Sequence, residues 1–288
     1  MSKDTTIGTS AGDHHRVPHR VLRPRRGLSI LDARELWDSR ELFWRLGRRD
    51  VTLRYRQTAL GVSWVVIQPL LAAGIFTIVF HQVANFSTSP VPYFVFVVSG
   101  MIVWNAFSNT VTRGSTSITA NANIITKVFF PRSLLPLSTT MAAVIDCTVG
   151  WAMEVVLLLA FRQSIPLAMI TFPLWLLATL LLAQGAGLAA AALNVSFRDI
   201  QYILPVLITF LLYATPIAYP LSHIKPGLRT LYSLNPLTGL LQGAHWALLP
   251  HQHLNIGLTI YAVSCSFVAF LVGSVIFERA ERSFSDVI

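Results

Sequence analysis

The chain has 288 residues, of which 53% are hydrophobic and only 12% are charged, and it carries a formal net charge of +9. Soluble domains have about twice that share of charged residues, so the composition excludes a protein that faces water over most of its surface. The positive charge does not indicate nucleic-acid binding, because no basic residues are interleaved with aromatic ones on a soluble domain. Cys147 and Cys265 lie within apolar runs, and no cluster of histidine, cysteine and carboxylate predicts a metal site.

Residues 1–30 are polar, rich in arginine and histidine and without periodicity, which predicts a disordered cytoplasmic tail. Residues 31–57 are predicted to form an amphipathic helix, with Asp32 and Glu35 as a capping box at its start. A basic stripe lies opposite tryptophan, phenylalanine and leucine, a pattern typical of a helix in the membrane interface. The alternative is a small soluble helical hairpin. The residues predicted to meet lipid phosphates are Arg45, Arg48, Arg49, Arg54, Tyr55 and Arg56.

Residues 58–288 are predicted to form a transmembrane domain, because they contain six apolar runs of about the 20 residues that a membrane-spanning helix needs. Lipid offers no hydrogen-bond partners to the backbone, so each run is expected to be helical. The predicted spans are Leu60–Phe80, Tyr93–Thr112, Leu134–Phe161, Leu167–Leu193, Ile203–Tyr219 and Ile256–Phe277. In the fourth, Ala183, Gly187 and Ala191 recur every fourth residue, which lets helices approach closely. The sequence therefore predicts an all-α integral membrane protein.

Most of the 22 lysine and arginine residues lie on one side of these spans. Because positively charged loops stay in the cytoplasm, both chain termini are predicted to be cytoplasmic. On the opposite side, Pro236–Leu249 is apolar but too short to cross, which predicts a re-entrant or interfacial helix. The predicted outer loops contain no Asp or Glu, which argues against an outward-facing acid–base enzyme.

Asp146 and Glu154 both lie at membrane depth in the third predicted span. Charge is costly in lipid and is usually paired or functional there. Three interpretations stay open for the two carboxyl groups: structural pairing with neighbouring spans, the lining of a substrate path, and proton coupling. Arg229, Lys225 and His245 are candidate partners of Glu154, whereas the sequence indicates none for Asp146.

The chain contains no phosphate-binding G-x-x-x-x-G-K-[ST] motif, so any energy from ATP must come from another polypeptide. Two predicted cytoplasmic loops are candidates for contact with it. Ser117–Arg132 mixes apolar and polar residues as a short docking helix does, and Asn194–Tyr202 carries charges at its tip. The alternative for the first loop is a simple connector resting on lipid. The candidate contact residues are Asn121, Ile125, Lys127, Phe130, Arg132, Arg198 and Asp199.

Five segments, in this order, resemble the permease subunits of ABC-2-type polysaccharide exporters. They are RRDVTLRYRQTALGVSWVVIQPL from Arg48, NANIITKVFFPRSLLPL from Asn121, LNVSFRDIQYILP from Leu193, ATPIAYP from Ala214 and LNPLTGLLQGAHWALL from Leu234. The resemblance runs from about Trp37 to the C-terminus and leaves out the N-terminal tail. It implies six transmembrane helices, an N-terminal interface helix and short outer re-entrant helices near residues 234–249.

The resemblance also implies partners and a cargo. Such permeases act as homodimers with two copies of a separate ABC ATPase, which holds the ATP and Mg, so no cofactor is expected on this chain. They lie in the bacterial inner membrane and export polyprenyl-diphosphate-linked polysaccharides such as O-antigens, teichoic acids or cell-wall galactan. Residues 121–132 are similar to the coupling helix that touches the ATPase. The excess of arginine over lysine favours a GC-rich genome and, with the resemblance, a galactan exporter.

A polymer with many hydroxyls and phosphates needs a water-filled path through the bilayer, because these groups would otherwise lose their hydration. A tunnel between two copies of the chain would supply that path, and aromatic rings in it would stack against sugars. The candidate lining residues are Trp64, Phe76, Phe80, Trp104, Phe107, Tyr213 and Tyr219, with lipid contact or packing as the alternative. The arginines of residues 45–56 are predicted to receive the diphosphate head; anchoring to ordinary anionic lipid is the equal alternative.

Two other functions stay open. A proton-coupled flippase or secondary transporter of lipid-linked sugars would use Asp146 and Glu154 as proton carriers. The absence of visible repeated halves argues modestly against it. An integral-membrane enzyme acting on lipid-linked sugars is disfavoured by the lack of outer carboxylates.

Overall fold

The computed structural model describes residues 37–56, 63–83, 85–125, 127, 130–281 and 284, with only the backbone of Tyr55, Arg56 and Ser222. The predicted tail and the capping-box residues Asp32 and Glu35 lie outside these ranges. Within them every regular element is a helix and there is no strand. The all-α prediction is therefore confirmed for the described part of the chain.

The helices follow the apolar runs of the sequence. In chain order they are α1 (Arg40–Arg56), α2 (Ser63–Phe76), α3 (Tyr93–Ala120), α4 (Ala122–Ile125), α5 (Leu134–Ser138), α6 (Thr140–Ala160), α7 (Phe172–Ser196), α8 (Ile200–Tyr213), α9 (Pro226–Leu234), α10 (Pro236–Leu248) and α11 (Ile256–Glu281). Thr77–Val83 continues α2 as a π-helix. Leu167–Thr171 and Leu221–His223 are short 3-10 helices that precede α7 and α9.

Among the residues that the structure describes, five stretches are long and apolar enough to cross a membrane. They are Ser63–Val83, Tyr93–Ala120, Leu134–Ala160, Leu167–Ser196 and Ile256–Glu281. The fifth predicted span, Ile203–Tyr219, corresponds to helix α8, which has only 14 residues. Such a helix is about 21 Å long, against the ~30 Å of a bilayer core. It ends at Tyr213 because Pro216 follows, and the residue before a proline avoids the helical conformation.

Helix α3 lies at the centre of the bundle. In its most apolar stretch 78% of the residues are buried, against 11% in the stretch that contains α2. The predicted small residues of α7 let it pack closely, and Ala183 and Ala191 are fully buried there. On the other side of α7, a side chain at Gly273 of α11 would meet the Gly185 carbonyl oxygen at 2.0 Å. Glycine is therefore required where α7 and α11 cross.

The segment between α8 and α11, which the sequence predicts to lie on the outer side, folds as two short helices. Most residues of α10 are buried, because the helix packs against α3, α7 and α11, whereas α9 has no buried residue. Asn235 joins the two helices: its side chain accepts a hydrogen bond from the Leu237 N–H at 3.0 Å and donates to Thr215 Oγ1 at 3.0 Å. The chain that follows α8 is thereby held against the start of α10.

Candidate functional site

Helix α1 has one face on the protein and one face directed outward. Leu46 is buried in a small core, and Gly47 lies against Met141, whose sulfur would be 2.6 Å from a Cβ at that position. On the outward face Trp37 and Trp44 are largely exposed. The helix is thus docked on α5 and α6 and presents its tryptophans to the surroundings. Its place in the membrane interface stays a prediction.

The arginines of α1 divide between these two faces. Arg45 and Arg48 lie on the exposed side, and the Arg45 guanidinium donates to Glu41 at 2.7 Å, in a surface pair that contributes little stability. Arg49 faces the protein, where its Nη2 donates to Asp50 Oδ1 at 3.1 Å and to Asn121 Oδ1 at 2.6 Å. The side chains of Tyr55 and Arg56 lie outside the described part of the chain. The phosphate-binding role of these arginines stays a prediction.

Arg54 forms an ion pair with Asp146, although the two residues are 92 positions apart. The side chain of Arg54 is 21% exposed and that of Asp146 is 11% exposed. A carboxylate in an apolar bundle is tolerated when a guanidinium neutralises it at close range. The partner that the sequence did not indicate for Asp146 is therefore supplied by the amphipathic helix, rather than by a neighbouring span.

Glu154 has the opposite surroundings. Its side chain is fully buried on α6, and neither carboxyl oxygen has a hydrogen-bond partner within the part of the chain that the structure describes. The prediction that Arg229, Lys225 or His245 pairs with Glu154 is therefore wrong, because none of them donates a hydrogen bond to its carboxyl group. Arg229 Nε donates instead to the Ile224 carbonyl at 2.8 Å, and His245 Nε2 is itself buried without a partner among the described residues.

The predicted coupling loop is tied to the bundle near both of its ends. At its start Asn121 accepts from Arg49 of α1, and its carbonyl accepts from the N–H groups of Ile124 and Ile125 in α4. At its other end the Arg132 backbone N–H donates to Glu281 Oε1 at 3.3 Å. The loop is consequently connected to α1 at one end and to α11 at the other.

The remaining predicted contact residues lie in the same region. Lys127 is exposed, and the Phe130 ring packs against the small core beneath α1. Arg198 and Asp199 are exposed between α7 and α8. The Asn194 side-chain amide donates to the Ser115 carbonyl at 2.9 Å, so α3 and α7 end side by side. Both predicted contact loops therefore lie at one end of the bundle.

An aromatic cluster lies near the opposite end. The Phe80 ring is 5.8 Å from Phe76, 6.0 Å from Phe86 and 6.0 Å from Tyr219, between ring centroids. The Tyr219 hydroxyl donates to the Tyr232 hydroxyl at 3.2 Å. The fold thus brings together three predicted path residues, Phe76, Phe80 and Tyr219. Sequence reasoning missed Phe86 and Tyr232, because both lie outside the predicted spans.

The other predicted path residues are scattered. Trp64 and Tyr213 are exposed on α2 and α8. Trp104 and Phe107, which the sequence predicts to line the path, do not line an open path in the single chain, because both rings are buried in its core. The described residues contain no group of three or more His, Cys, Asp or Glu side chains able to hold a metal ion.

A cleft beside α1 collects polar side chains that the prediction largely overlooked. The Arg54–Asp146 pair lies in it together with three carboxamides: Gln68 of α2 and Asn105 and Asn109 of α3. Its apolar wall consists of Val65, Pro69, Ile102, Ala106, Cys147 and Gly150. We call this feature the inner polar cleft. The signal was present in the sequence, since two asparagines stand one helical turn apart in a predicted membrane span.

These helices define a multi-pass membrane protein that has the two predicted contact loops at one end of the bundle and an aromatic cluster at the other. The family model described as ABC-2 type transporter matches residues 41–249. Because this match covers most of the chain, the chain belongs to the ABC-2 type transporter family. The resemblance stated from the five sequence segments is confirmed at that level.

Three transport proteins are similar to this chain over most of its length. The O-antigen export system permease protein RfbA of Myxococcus xanthus is 30% identical over 258 residues, which are 89% of this chain and 98% of that protein. A protein of the same name from Klebsiella pneumoniae is 29% identical over 83% of this chain and 92% of its own length. The polysialic acid transport protein KpsM of Escherichia coli is 25% identical over 82% of this chain and 92% of its own.

Proposed function

We propose that the chain is the membrane-spanning permease subunit of an ATP-driven exporter whose cargo is a polysaccharide linked to a polyprenyl diphosphate. The observation that carries the proposal is the similarity to an O-antigen export permease over 89% of this chain. The chain itself catalyses no reaction and moves the polymer from the cytoplasm across the inner membrane. O-antigen and cell-wall galactan are the candidate polymers. The names of the relatives favour O-antigen, whereas the arginine-rich composition favours cell-wall galactan.

The proposed assembly contains a second copy of the chain and two copies of an ABC ATPase that binds ATP and Mg. Two apolar surfaces support a second copy. Helix α8 has no buried residue in the described chain, and α2 buries only Val65, Pro69 and Ala73. These surfaces need either lipid or protein cover, and they suit a tunnel formed between two protomers.

We assign the ATPase contact to residues 121–132, with Arg198 and Asp199 beside them. The support is geometric: both loops lie where α3 and α7 end, and Lys127 is exposed there. The charge bias of the sequence assigns this end, and both chain termini, to the cytoplasm. The aromatic cluster then lies near the outer surface.

Depletion of the chain in its native host tests the proposal. We expect a lipid-linked polysaccharide to accumulate inside the cell while the same glycan falls at the surface. Affinity purification of the chain in mild detergent is expected to recover an ABC ATPase. An unchanged surface glycan after verified depletion contradicts the proposal.

A proton-coupled flippase has one observation in its favour, the buried Glu154 carboxyl without a partner among the described residues. The substitution Glu154→Gln keeps the shape of the side chain and removes its titratable proton. The exporter predicts that Glu154→Gln leaves export and assembly largely unchanged. Loss of export with normal assembly supports the proton-coupled alternative. Asp146 is less suited to carry protons, because Arg54 already pairs with it.

A further inference from the structure

The carboxamides of the inner polar cleft have unused hydrogen-bonding capacity. Within the described residues the side chains of Gln68, Asn105 and Asn109 make no hydrogen bond, although all three line the cleft. Each carboxamide offers two N–H donors and an oxygen with two lone pairs. Leaving such groups unpaired at membrane depth is costly. A ligand that satisfies these groups must supply both donors and acceptors.

The charges of the cleft narrow the class of ligand. One guanidinium, from Arg54, and one carboxylate, from Asp146, are paired, so the site has no excess charge. A phosphate would approach the Asp146 carboxylate and be repelled by it, and an alkyl chain would leave the amides unpaired. A hydroxyl group both donates and accepts while carrying no charge, which matches the three carboxamides.

The shape of the cleft fits one hydroxyl group at a time. Its cavity has a volume of about 20 Å³, enough for about one water molecule. Gln68 is exposed at its open side, and Trp64 lies one helical turn earlier on the same face of α2. A sugar ring resting against Trp64 would lie about 6 Å along α2 from Gln68, so that its hydroxyl groups face the mouth of the cleft. The exposed tryptophan ring supplies an apolar surface for the C–H face of the sugar.

A polar stripe connects the cleft with the end of the bundle that carries the coupling loops. The stripe repeats at helical spacing along one face of α3, and none of its residues is fully buried: Asn105, Ser108, Asn109, Thr112, Arg113 and Thr116. From first to last it covers about 17 Å at 1.5 Å per residue. A hydroxyl-rich chain can therefore reach the cleft without crossing a purely apolar surface.

We propose that the inner polar cleft is a hydrogen-bonding site for a sugar unit of the lipid-linked glycan, between α1, α2, α3 and α6. The inference rests on the proposed export function and names where the permease first holds the polymer. Gln68, Asn105 and Asn109 bind sugar hydroxyls, and the Arg54–Asp146 pair fixes the wall behind them. This site is separate from the outer aromatic cluster.

Photo-crosslinking in glycan-producing cells tests the site with the full complex. The substitution Trp64→p-benzoylphenylalanine keeps an aromatic ring beside the cleft, and Trp44→p-benzoylphenylalanine is the matched control on the outward face of α1. After irradiation the purified chain is examined by mass spectrometry and by periodate-based glycan staining. We expect a sugar-bearing adduct at position 64 and phospholipid adducts alone at position 44.

The variants Gln68→Leu and Asn109→Leu, each combined with the probe at position 64, test the role of the amides. Loss of one hydrogen-bonding group is expected to lower the sugar adduct by about fivefold to tenfold. Gln201→Leu, which removes an exposed carboxamide at the start of α8, is the control and should leave the adduct unchanged.

Only phospholipid adducts at position 64, or a sugar adduct that neither Leu variant reduces, would overturn the site. Depletion of the chain distinguishes this failure from failure of the proposed function. If depletion makes the glycan accumulate inside the cell but position 64 captures only phospholipid, export stands and the cleft assignment fails. If depletion leaves the glycan unchanged, the export function itself fails.

Discussion

Asp146 and Glu154 are two acidic residues eight positions apart on one helix, yet the fold treats them differently. Asp146 meets Arg54 across 92 positions of chain, whereas Glu154 is enclosed without a hydrogen-bond partner among the described residues. The sequence places both carboxyl groups at membrane depth, where burial of a charge has a high free-energy cost. It does not identify their surroundings, because these depend on which helices pack against α6.

The ion pair predicts an asymmetric mutational response. Arg54→Leu or Asp146→Leu alone leaves one charge without its partner and is expected to destabilise the complex by about 1–3 kcal/mol, below the cost for a fully buried pair. The double variant removes both charges and is expected to recover part of that loss. Thermal unfolding of the purified complex in detergent measures the effect. Strictly additive single effects in the double variant would exclude a direct interaction.

Tyr219 predicts a pH dependence at the alkaline end. Burial, together with the hydrogen bond to Tyr232, raises the pKa of Tyr219 above the usual value of 10.0. The neutral hydroxyl therefore contributes stability that is complete below about pH 10 and is lost as the pH rises through the higher folded-state pKa. The unfolding midpoint is expected to fall more steeply above about pH 10 in the wild type than in Tyr219→Phe. Parallel curves for the two proteins would contradict this assignment.

At the scale of elements, α1 combines two tasks that its sequence pattern did not separate. Its apolar and basic residues predict an amphipathic helix, but the described fold shows that Leu46, Gly47, Arg49 and Arg54 face protein. Arg49 reaches the start of the proposed coupling loop at Asn121, and Arg54 reaches α6. Helix α1 therefore connects residue 121 with helix α6, so a displacement of either one is expected to displace α1.

The coupling loop predicts a charge-reversal effect confined to one end of the molecule. Lys127→Glu is expected to weaken ATPase association by about tenfold, because a reversed charge at a contact surface repels its former partner. Lys225→Glu makes the same change in the outer segment, where Lys225 is also exposed, and is the matched control. Co-purification of the ATPase and export of glycan are the measurements. If the two variants recover the same amount of ATPase and export the same amount of glycan, the assignment of the ATPase contact to residues 121–132 is contradicted.

At the scale of the whole molecule, packing between spans depends on small residues that permit backbone contact. One close approach lies between α7 and α11, where Gly185 and Gly273 face each other. Lipid provides little hydrophobic force between helices, so close van der Waals packing has a large share in their association. The repeated small residues of α7 indicate this in the sequence, although they do not specify the partner helix.

Gly273→Ala is expected to destabilise the fold by about 3 kcal/mol or more, because the added methyl group overlaps backbone atoms that cannot rotate away. Gly74→Ala is the control, since a Cβ at Gly74 meets nothing within 4 Å. In a helix that control is expected to be neutral or to stabilise by up to about 1 kcal/mol. The yield and thermal midpoint of the purified protein distinguish the two variants. A stable Gly273→Ala protein would show that the helices can move apart at low cost.

The sequence by itself determined the helical class, the membrane-length runs, the two-faced helix predicted over residues 31–57 and the family, because these depend on local composition, periodicity and ordered motifs. Of that predicted helix, the structure describes Arg40–Arg56 as helical. It also located the buried outer helix within one residue of Pro236–Leu248. Only the tertiary structure decided that Arg54 is the partner of Asp146 and that three carboxamides share one cleft. Those features join residues far apart in the chain, and their free energy depends on which surfaces the packed helices bring together.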